Sequence, residues 1–567
     1  MPTRWWQDTI IYQVYLRSFQ DTNADGIGDL QGVIKRLDYV RDLGIDTVWI
    51  SPHFDSPMDD NGYDVRDFCN VSPDYGTLDD FKALLSEAHA RNMKIIIDMI
   101  VNHTSDEHPW FLAAKDPTHP DHTTFRDFYI WQPPRMNDQG NPERPTSWVS
   151  WFGGSTWTYN PPTNDYYLHI FSAKMPDLNW RNPAVRVAMK AVIQFWIDLG
   201  VDGFRLDASN HLEKNWDFPE ANPGYEHFSN LPKHHEYLEE LSRALFEPYD
   251  LLIIGEAGSA SREEALRYAG YDSHEFNLLI HFEHCWADID EANNVTPGKW
   301  AKGSVDVTKI KRSFAKWQQV FANQGWNVLY WHNHDQPRIV SHYGDDAIHH
   351  RRSALMLAYC LYLLPGTPIV YYGEEIGMTN VDYTDLSDFR DVEVFTEYGN
   401  FKQNGAHHET AMQALRDRCR DNARTPMQWD DSPHAGFSTA TPWMKVNGNH
   451  SDINVKTQQK QPDSIWQTYK TLLHLRKHER LNHGKVTFYT LDHEQAFVYC
   501  VTGKTHDYLV IANFTDKPMR YPLDSLIKDY TLYVANVKNA QAKSPRFAPF
   551  EARIYRHQHN RTSSAMI

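Results

Sequence analysis

The chain of 567 residues predicts an α/β fold: a parallel (β/α)8 TIM barrel with a subdomain inserted after its third strand and a C-terminal antiparallel β-domain. Three observations predict it. Eight short apolar runs recur between residues 9 and 375, each closing in polar residues. Amphipathic stretches with apolar residues at helical spacing separate several of them. From about residue 481 the texture changes to alternating runs, KVTFYTL, QAFVYCVT, DYLVIANF and YTLYVANV, which read as antiparallel strands.

The eight runs are TIIYQVYLRSF (9–19), DTVWISP (46–52), KIIIDMIVNH (94–103), GFRLD (203–207), LLIIGE (251–256), FNLLIHFEH (276–284), NVLYWHNHD (327–335) and TPIVYYGEE (367–375). Segments such as LDDFKALLSEAHARN (78–92) and HEYLEELSRALFE (235–247) supply helices between them. Strand then helix, eight times over, with strands apolar along their length, is the pattern of a parallel barrel covered by helices. Two connections are too long for simple loops. The expected division is therefore residues 1–103 as the first part of the barrel and 104–178 as a subdomain over its mouth. Residues 179–480 complete the barrel, with a loop subdomain at about 376–460, and 481–567 form the β-domain.

Composition narrows the partners. A net charge of −18 argues against nucleic acid and anionic membranes, both of which attract basic surfaces. Aromatic content is high, with 19 Trp and 30 Tyr, which suits a large core and also the stacking of sugar rings. The expected partner is a small neutral molecule. No run reaches membrane-spanning length, and MPTRWWQDTIIYQVYLRSF lacks the layout of a signal peptide. Cys69, Cys285, Cys360, Cys419 and Cys500 are scattered, without a CxxC pair. These features predict a cytoplasmic protein without a disulfide scaffold, and leave monomer and homodimer both open. The histidine pairs at 234–235, 349–350 and 407–408 lack a third ligand at metal spacing and are expected on the surface.

The strand ends carry the chemistry. Asp98, Asn102 and His103 close the third run, Arg205 and Asp207 the fourth, Glu256 the fifth, and His334 and Asp335 the seventh. In a barrel these positions converge on the C-terminal mouth, where active sites sit. Arg205 and Asp207 stand two apart, so both point to one face of their strand. Burying them there is favourable only as a pair. Carboxylates with an Arg and two His, and no Cys/His cluster, suit acid–base and nucleophilic work. Glycoside hydrolysis needs such a set.

The motifs DMIVNH (98–103), GFRLDASNH (203–211), GEAG (255–258) and NHDQPR (333–338), in that order, resemble those of the α-amylase family of glycoside hydrolases. GTPIVYYGEEIGM (366–378) and ARTPMQWD (423–430) resemble its oligo-1,6-glucosidase and maltase branch. The resemblance implies Asp207 as nucleophile, Glu256 as general acid/base and Asp335 as transition-state stabiliser. It implies Arg205 as the partner that keeps Asp207 ionised, and Tyr63, Asp64, His103 and His334 as sugar-binding groups. Arg424 would pair with Asp64 and close the far wall, making attack exo, from the non-reducing end. A non-catalytic sugar-binding relative would lack the nucleophile or the acid, and both are present here.

Two details refine this expectation. In DTNADGIGD (21–29) the acids and amide Asp21, Asn23 and Asp25 match the first half of an EF-hand loop, with Ile27 offering a carbonyl and Asp29 a further oxygen. Gly32 stands where an EF-hand needs Glu, so the loop reads instead as the branch's structural Ca2+ site, with Mg2+ as the alternative ion and no organic cofactor. Ala208 follows the nucleophile, where the branch carries Val for α-1,6 bonds and Thr or Ala for α-1,4 bonds. This implies a retaining α-1,4-acting α-glucosidase on maltose and short maltooligosaccharides, with transfer as a side reaction. The alternatives are an oligo-1,6-glucosidase or a sucrose- or trehalose-type isomerase or transferase. Met175, in MPDLN (175–179), departs from the Gln usual in the branch.

Overall fold

A computed structural model describes residues 3–559. Eight strands form one sheet: β1 (Ile11–Val14), β2 (Thr47–Ile50), β3 (Lys94–Ile100), β4 (Gly203–Asp207), β5 (Leu252–Glu256), β6 (Leu278–Ile280), β7 (Val328–Leu329) and β8 (Thr367–Tyr371). They are ordered β6-β5-β4-β3-β2-β1-β8-β7, and every pairing is parallel. This is the predicted barrel, all but closed between β6 and β7. The strands are buried on both faces, which explains their unbroken apolar texture.

Helices α1 (Leu30–Leu43), α2 (Leu78–Ala90), α3 (Pro183–Leu199), α4 (His234–Leu241), α5 (Arg262–Ala269), α6 (Val307–Phe321), α7 (His350–Leu361) and α8 (Ile465–Glu479) alternate with the strands. Their ends are set locally. Asp29 caps α1 through Gly32 N, Thr77 and Asp80 form a capping box on α2, and Asn182 with Pro183 starts α3. Each such cap is worth about 1 kcal/mol. Gly44 (φ 105°) and Gly200 (φ 101°) stop α1 and α3 in the left-handed conformation that glycine adopts without strain.

The segment between β3 and α3 holds a helix, Pro109–Lys115, and a three-stranded antiparallel sheet built from 131–132, 157–160 and 165–168. Its Trp148 and Trp157 pack with Phe228, from the connection after β4, in a small separate core. The segment after β8 carries helices Val392–Gln403 and His408–Arg418 around Tyr383, Phe389 and Phe401. Strands β9 (Val486–Tyr489), β10 (Ala496–Thr502), β11 (His506–Asn513), β12 (Thr531–Ala535) and β13 (Ala552–Gln558) form an antiparallel sheet in the order β9-β10-β11-β13-β12. Lys311 of α6 is fully buried beneath this sheet and gives its ammonium hydrogens to the carbonyls of Thr490, His493 and Ala496 at 2.8, 2.6 and 2.9 Å.

All five cysteines are free thiols. No helix among the described residues is long and apolar enough to cross a membrane. One expectation fails: His234 and His235 are buried, not surface residues. The start of α4 packs against α5, where His234 Nε2 meets Tyr268 Oη at 2.6 Å and His235 Nδ1 meets Glu275 at 2.9 Å. His350 is half-buried on the Gly377 carbonyl, while His407 and His408 are exposed as expected.

Candidate active site

Register brings the charges together. Arg205 on β4 pairs with Asp98 on β3 across the sheet, and Asp207 and Glu256 end adjacent strands. The Arg205 guanidinium is fully buried and reaches three carboxylates: Nη1 donates to Asp98 Oδ1 and Asp207 Oδ1, both at 2.6 Å, and Nη2 lies 2.7 Å from Glu256 Oε2. One cation against three acids leaves excess negative charge in a site of low polarity. Burial pushes Asp207 and Glu256 up to about 7 against the pull of Arg205, and Asp98 up to about 6. The pair therefore holds one proton between its two carboxyls near neutrality. Arg205 stands beside Asp207 as expected and favours its ionised form, pulling against that burial.

Asp335 behaves oppositely. Burial would raise it, but His334, Arg420 and Arg424 carry it well below the ordinary carboxylate range. Arg424 Nη2 lies 3.2 Å and Arg420 Nη1 3.5 Å from its Oδ1. His334 stacks on Tyr63, with ring centroids 5.3 Å apart and planes at 5°. His103 is fully buried with Nε2 unpartnered. Burial lowers His103 to about 4 and His334 to about 3, so both rings are neutral. Ala208 sits in the left-handed region (φ 48°) and gives its N–H to Glu256 Oε2 at 3.2 Å.

Most of these groups line a cavity of about 690 Å3, together with Met175, Phe152, Phe171, Phe282, Trp286 and Trp300. Trp151 and Tyr225 stack face to face on its wall at 4.0 Å. Of the sequence-predicted residues, Tyr63, His103, Asp207, Ala208, Glu256, His334 and Asp335 line it. Arg205 stands directly behind.

The pairing of Arg424 with Asp64 is corrected. Asp64 accepts hydrogen bonds from Ser56 Oγ and from the N–H groups of Asp59 and Asp60, and it holds its own loop rather than facing the cavity. The cavity wall is closed instead by Asp60 and Arg420, 2.9 Å apart, with Arg420 anchored on Asp391 at 2.6 Å. Arg424 is buried behind them, its Nε on the His334 carbonyl at 3.0 Å. The error is one of register: DDNGYD and RDNAR each offer two like residues four apart, and sequence alone does not choose between them.

The 21–29 loop closes on itself. Asp21 accepts from the N–H groups of Asn23, Ala24 and Gly26, and Asp25 from that of Ile27. Asp21, Asn23, Asp25 and the Ile27 carbonyl offer only oxygen donors to a cation, the set a hard ion takes. Asp29 is turned onto Thr22 and the first turn of α1. No group of three metal-binding side chains converges among the described residues.

A family profile described as "Alpha amylase, catalytic domain" matches residues 13–484. The chain is 42% identical to an oligo-1,6-glucosidase of Halalkalibacterium halodurans over 98% of its own length and 99% of the relative's. Its fold is similar to the crystal structure of a Bacillus licheniformis trehalose-6-phosphate hydrolase, at 38% identity and TM-score 0.88, covering 98% of this chain and 100% of that one. It is similar also to an isomaltulose synthase from Klebsiella sp. LX3, at 35% identity and TM-score 0.91, with the same coverages.

Proposed function

The chain belongs to the α-amylase family of glycoside hydrolases, and from that premise we propose that it is an exo-acting, retaining α-glucosidase that removes glucose from short neutral oligosaccharides, with α-1,6 bonds preferred. The observation that carries the chemistry is the single guanidinium holding Asp207 and Glu256 side by side at the floor of a walled cavity. Asp207 attacks the anomeric carbon and forms the glucosyl ester. Glu256, holding the shared proton, gives it to the leaving oxygen and then takes one from the incoming water. Asp335, kept ionised by its arginines, grips the sugar hydroxyls with His103 and His334. Asp60 and Arg420 block the far end, so one glucose fits beyond the cleaved bond.

The preference for α-1,6 bonds is supported by a relative that carries that name and matches over 98% of this chain and 99% of its own. It replaces the maltose preference expected from Ala208, which stays as the second reading because Ala208 does line the cavity. A phosphorylated substrate is disfavoured. The cavity presents six carboxylates against two cations, Lys299 and Arg420, and both cations are already paired, with Glu393 and with Asp60 and Asp391. We propose further that the 21–29 loop holds a structural Ca2+ or Mg2+ through Asp21, Asn23, Asp25 and Ile27.

The test is kcat/KM on isomaltose and maltose with one preparation. Isomaltose ahead by about tenfold, about 1.4 kcal/mol of transition-state preference, supports the proposal, and maltose ahead by as much restores the reading from Ala208. Asp207→Asn should lose nearly all release of nitrophenol from p-nitrophenyl α-glucoside. Retained turnover would reject the nucleophile assignment.

A further inference from the structure

Gln13 lies on β1, fully buried beneath the cavity floor, and its carboxamide Nε2 is 2.9 Å from His334 Nδ1. The other ring nitrogen, His334 Nε2, lies 3.2 Å from Asp335 Oδ2 and within hydrogen-bond reach of Tyr63 Oη. A neutral imidazole has one N–H and one lone pair, and which nitrogen keeps the proton is decided by the partners on each side. An amide nitrogen only donates, so Nδ1 accepts and the single proton sits on Nε2. Turning the carboxamide over would place the proton on Nδ1 and aim the Nε2 lone pair at the Asp335 anion, a repulsive contact. The remaining neighbours do not reverse this choice. Tyr15 and Trp49 present rings to His334. Tyr63 leans its hydroxyl toward Asp98 at 3.5 Å, which leaves that oxygen free to accept. Arg205, Arg420 and Arg424 disfavour a second proton on the ring.

We infer that Gln13 is a positioning residue that fixes His334 as the Nε2–H tautomer, so that the ring presents a hydrogen-bond donor to Asp335 and to the substrate's hydroxyl groups. Gln13 Oε1 has no partner among the described residues. A leucine would fill the same space without leaving a buried carbonyl oxygen bare, so packing alone gives no reason for an amide here. The inference rests on the proposed reading of the cavity as a sugar site.

The test is the pH profile of kcat/KM for Gln13→Glu on p-nitrophenyl α-glucoside. A carboxylate only accepts, so it forces a proton onto Nδ1. The ring then regains its Nε2–H donor only as the imidazolium. The variant should therefore lose activity as pH rises through that imidazolium's ionisation, moving its basic limb down by about one pH unit or more relative to the parent. Gln13→Met, which lacks the amide's donor, should lose about 3- to 10-fold, the worth of one hydrogen bond between neutral groups, with the limbs unmoved. An unshifted limb in a folded Gln13→Glu protein overturns the inference. Should Gln13→Glu not fold, parent-level activity in Gln13→Met overturns it equally. His334→Asn separates the two claims: full activity there refutes the sugar-site reading itself, whereas a loss there with an unshifted Gln13→Glu profile refutes only the role of Gln13.

Discussion

Replacing Glu256 by Gln should make the protein more stable at alkaline pH while destroying its catalysis. Burial raises the Glu256 carboxyl from 4.5 to about 7 in the folded protein. A group with a raised folded-state pKa contributes fully below its unfolded value, and that contribution is lost as pH climbs through the folded value. At about 1.4 kcal/mol for each pH interval of one, deprotonating this site costs the folded state about 3 kcal/mol by pH 8. Asp207 shares the same proton, so the cost is counted once. With about 2.1 cal/mol/K of unfolding entropy per residue, a chain of this length has a transition entropy of about 1.2 kcal/mol/K, and the gain in Tm is about 2–3 °C. The amide remains an acceptor for Arg205 and needs no proton. The assay is thermal unfolding of parent and Glu256→Gln from pH 4 to pH 8. The difference should vanish near pH 4 and open as pH rises. A constant difference, or a variant less stable at pH 8, would mean that the attraction of Arg205 exceeds the burial of its acids, and the electrostatic account of the site would be wrong.

Three further outcomes are expected. Arg420→Ala should lower kcat/KM by about 30-fold or more, since it leaves Asp60 and Asp391 buried without their cation, whereas Asp64→Asn should leave kcat/KM within about threefold because Asp64 lies outside the cavity. The reverse ranking would restore the register expected from the sequence. Exhaustive chelation should lower Tm, with recovery on adding Ca2+ or Mg2+, and Asp25→Ala should remove the response. A Tm indifferent to chelator, with no ion by elemental analysis, excludes the metal loop. Ala208→Val narrows the wall beside Glu256 and should raise the isomaltose-to-maltose ratio of kcat/KM by about 3- to 10-fold, the scale on which one or two methyl groups discriminate. An unchanged ratio would show that Ala208 only packs.

What could be read beforehand follows from the length scale of each interaction. The barrel strands were legible because burial on both faces leaves an unbroken apolar run, and β4 was legible as a site because Arg205 and Asp207 share a face. The walls were not. Asp60 and Arg420 meet across 360 residues of chain, and Asp64 and Arg424 stand one helical turn's length away with the same chemistry. Likewise, His235 looks like a solvated histidine until Glu275, in the connection before β6, meets its Nδ1. Gln13 carried no signal at all, since its role exists only against His334, 321 residues further along the chain. Local patterns name the elements, but partners distant in sequence decide which of two equivalent side chains faces inward.

The Lys311 ammonium beneath the C-terminal sheet has a consequence for anyone seeking a smaller catalyst. Its three acceptors are main-chain carbonyls from the turn before β10 and from β10 itself, and a barrel cut off before them would keep a charged side chain on an apolar flank with nothing to receive its hydrogens. The terminal sheet therefore acts as a plug in the wall of α6, not as a detachable accessory. A minimal barrel would have to carry an apolar residue at position 311 before it could be expected to stand alone.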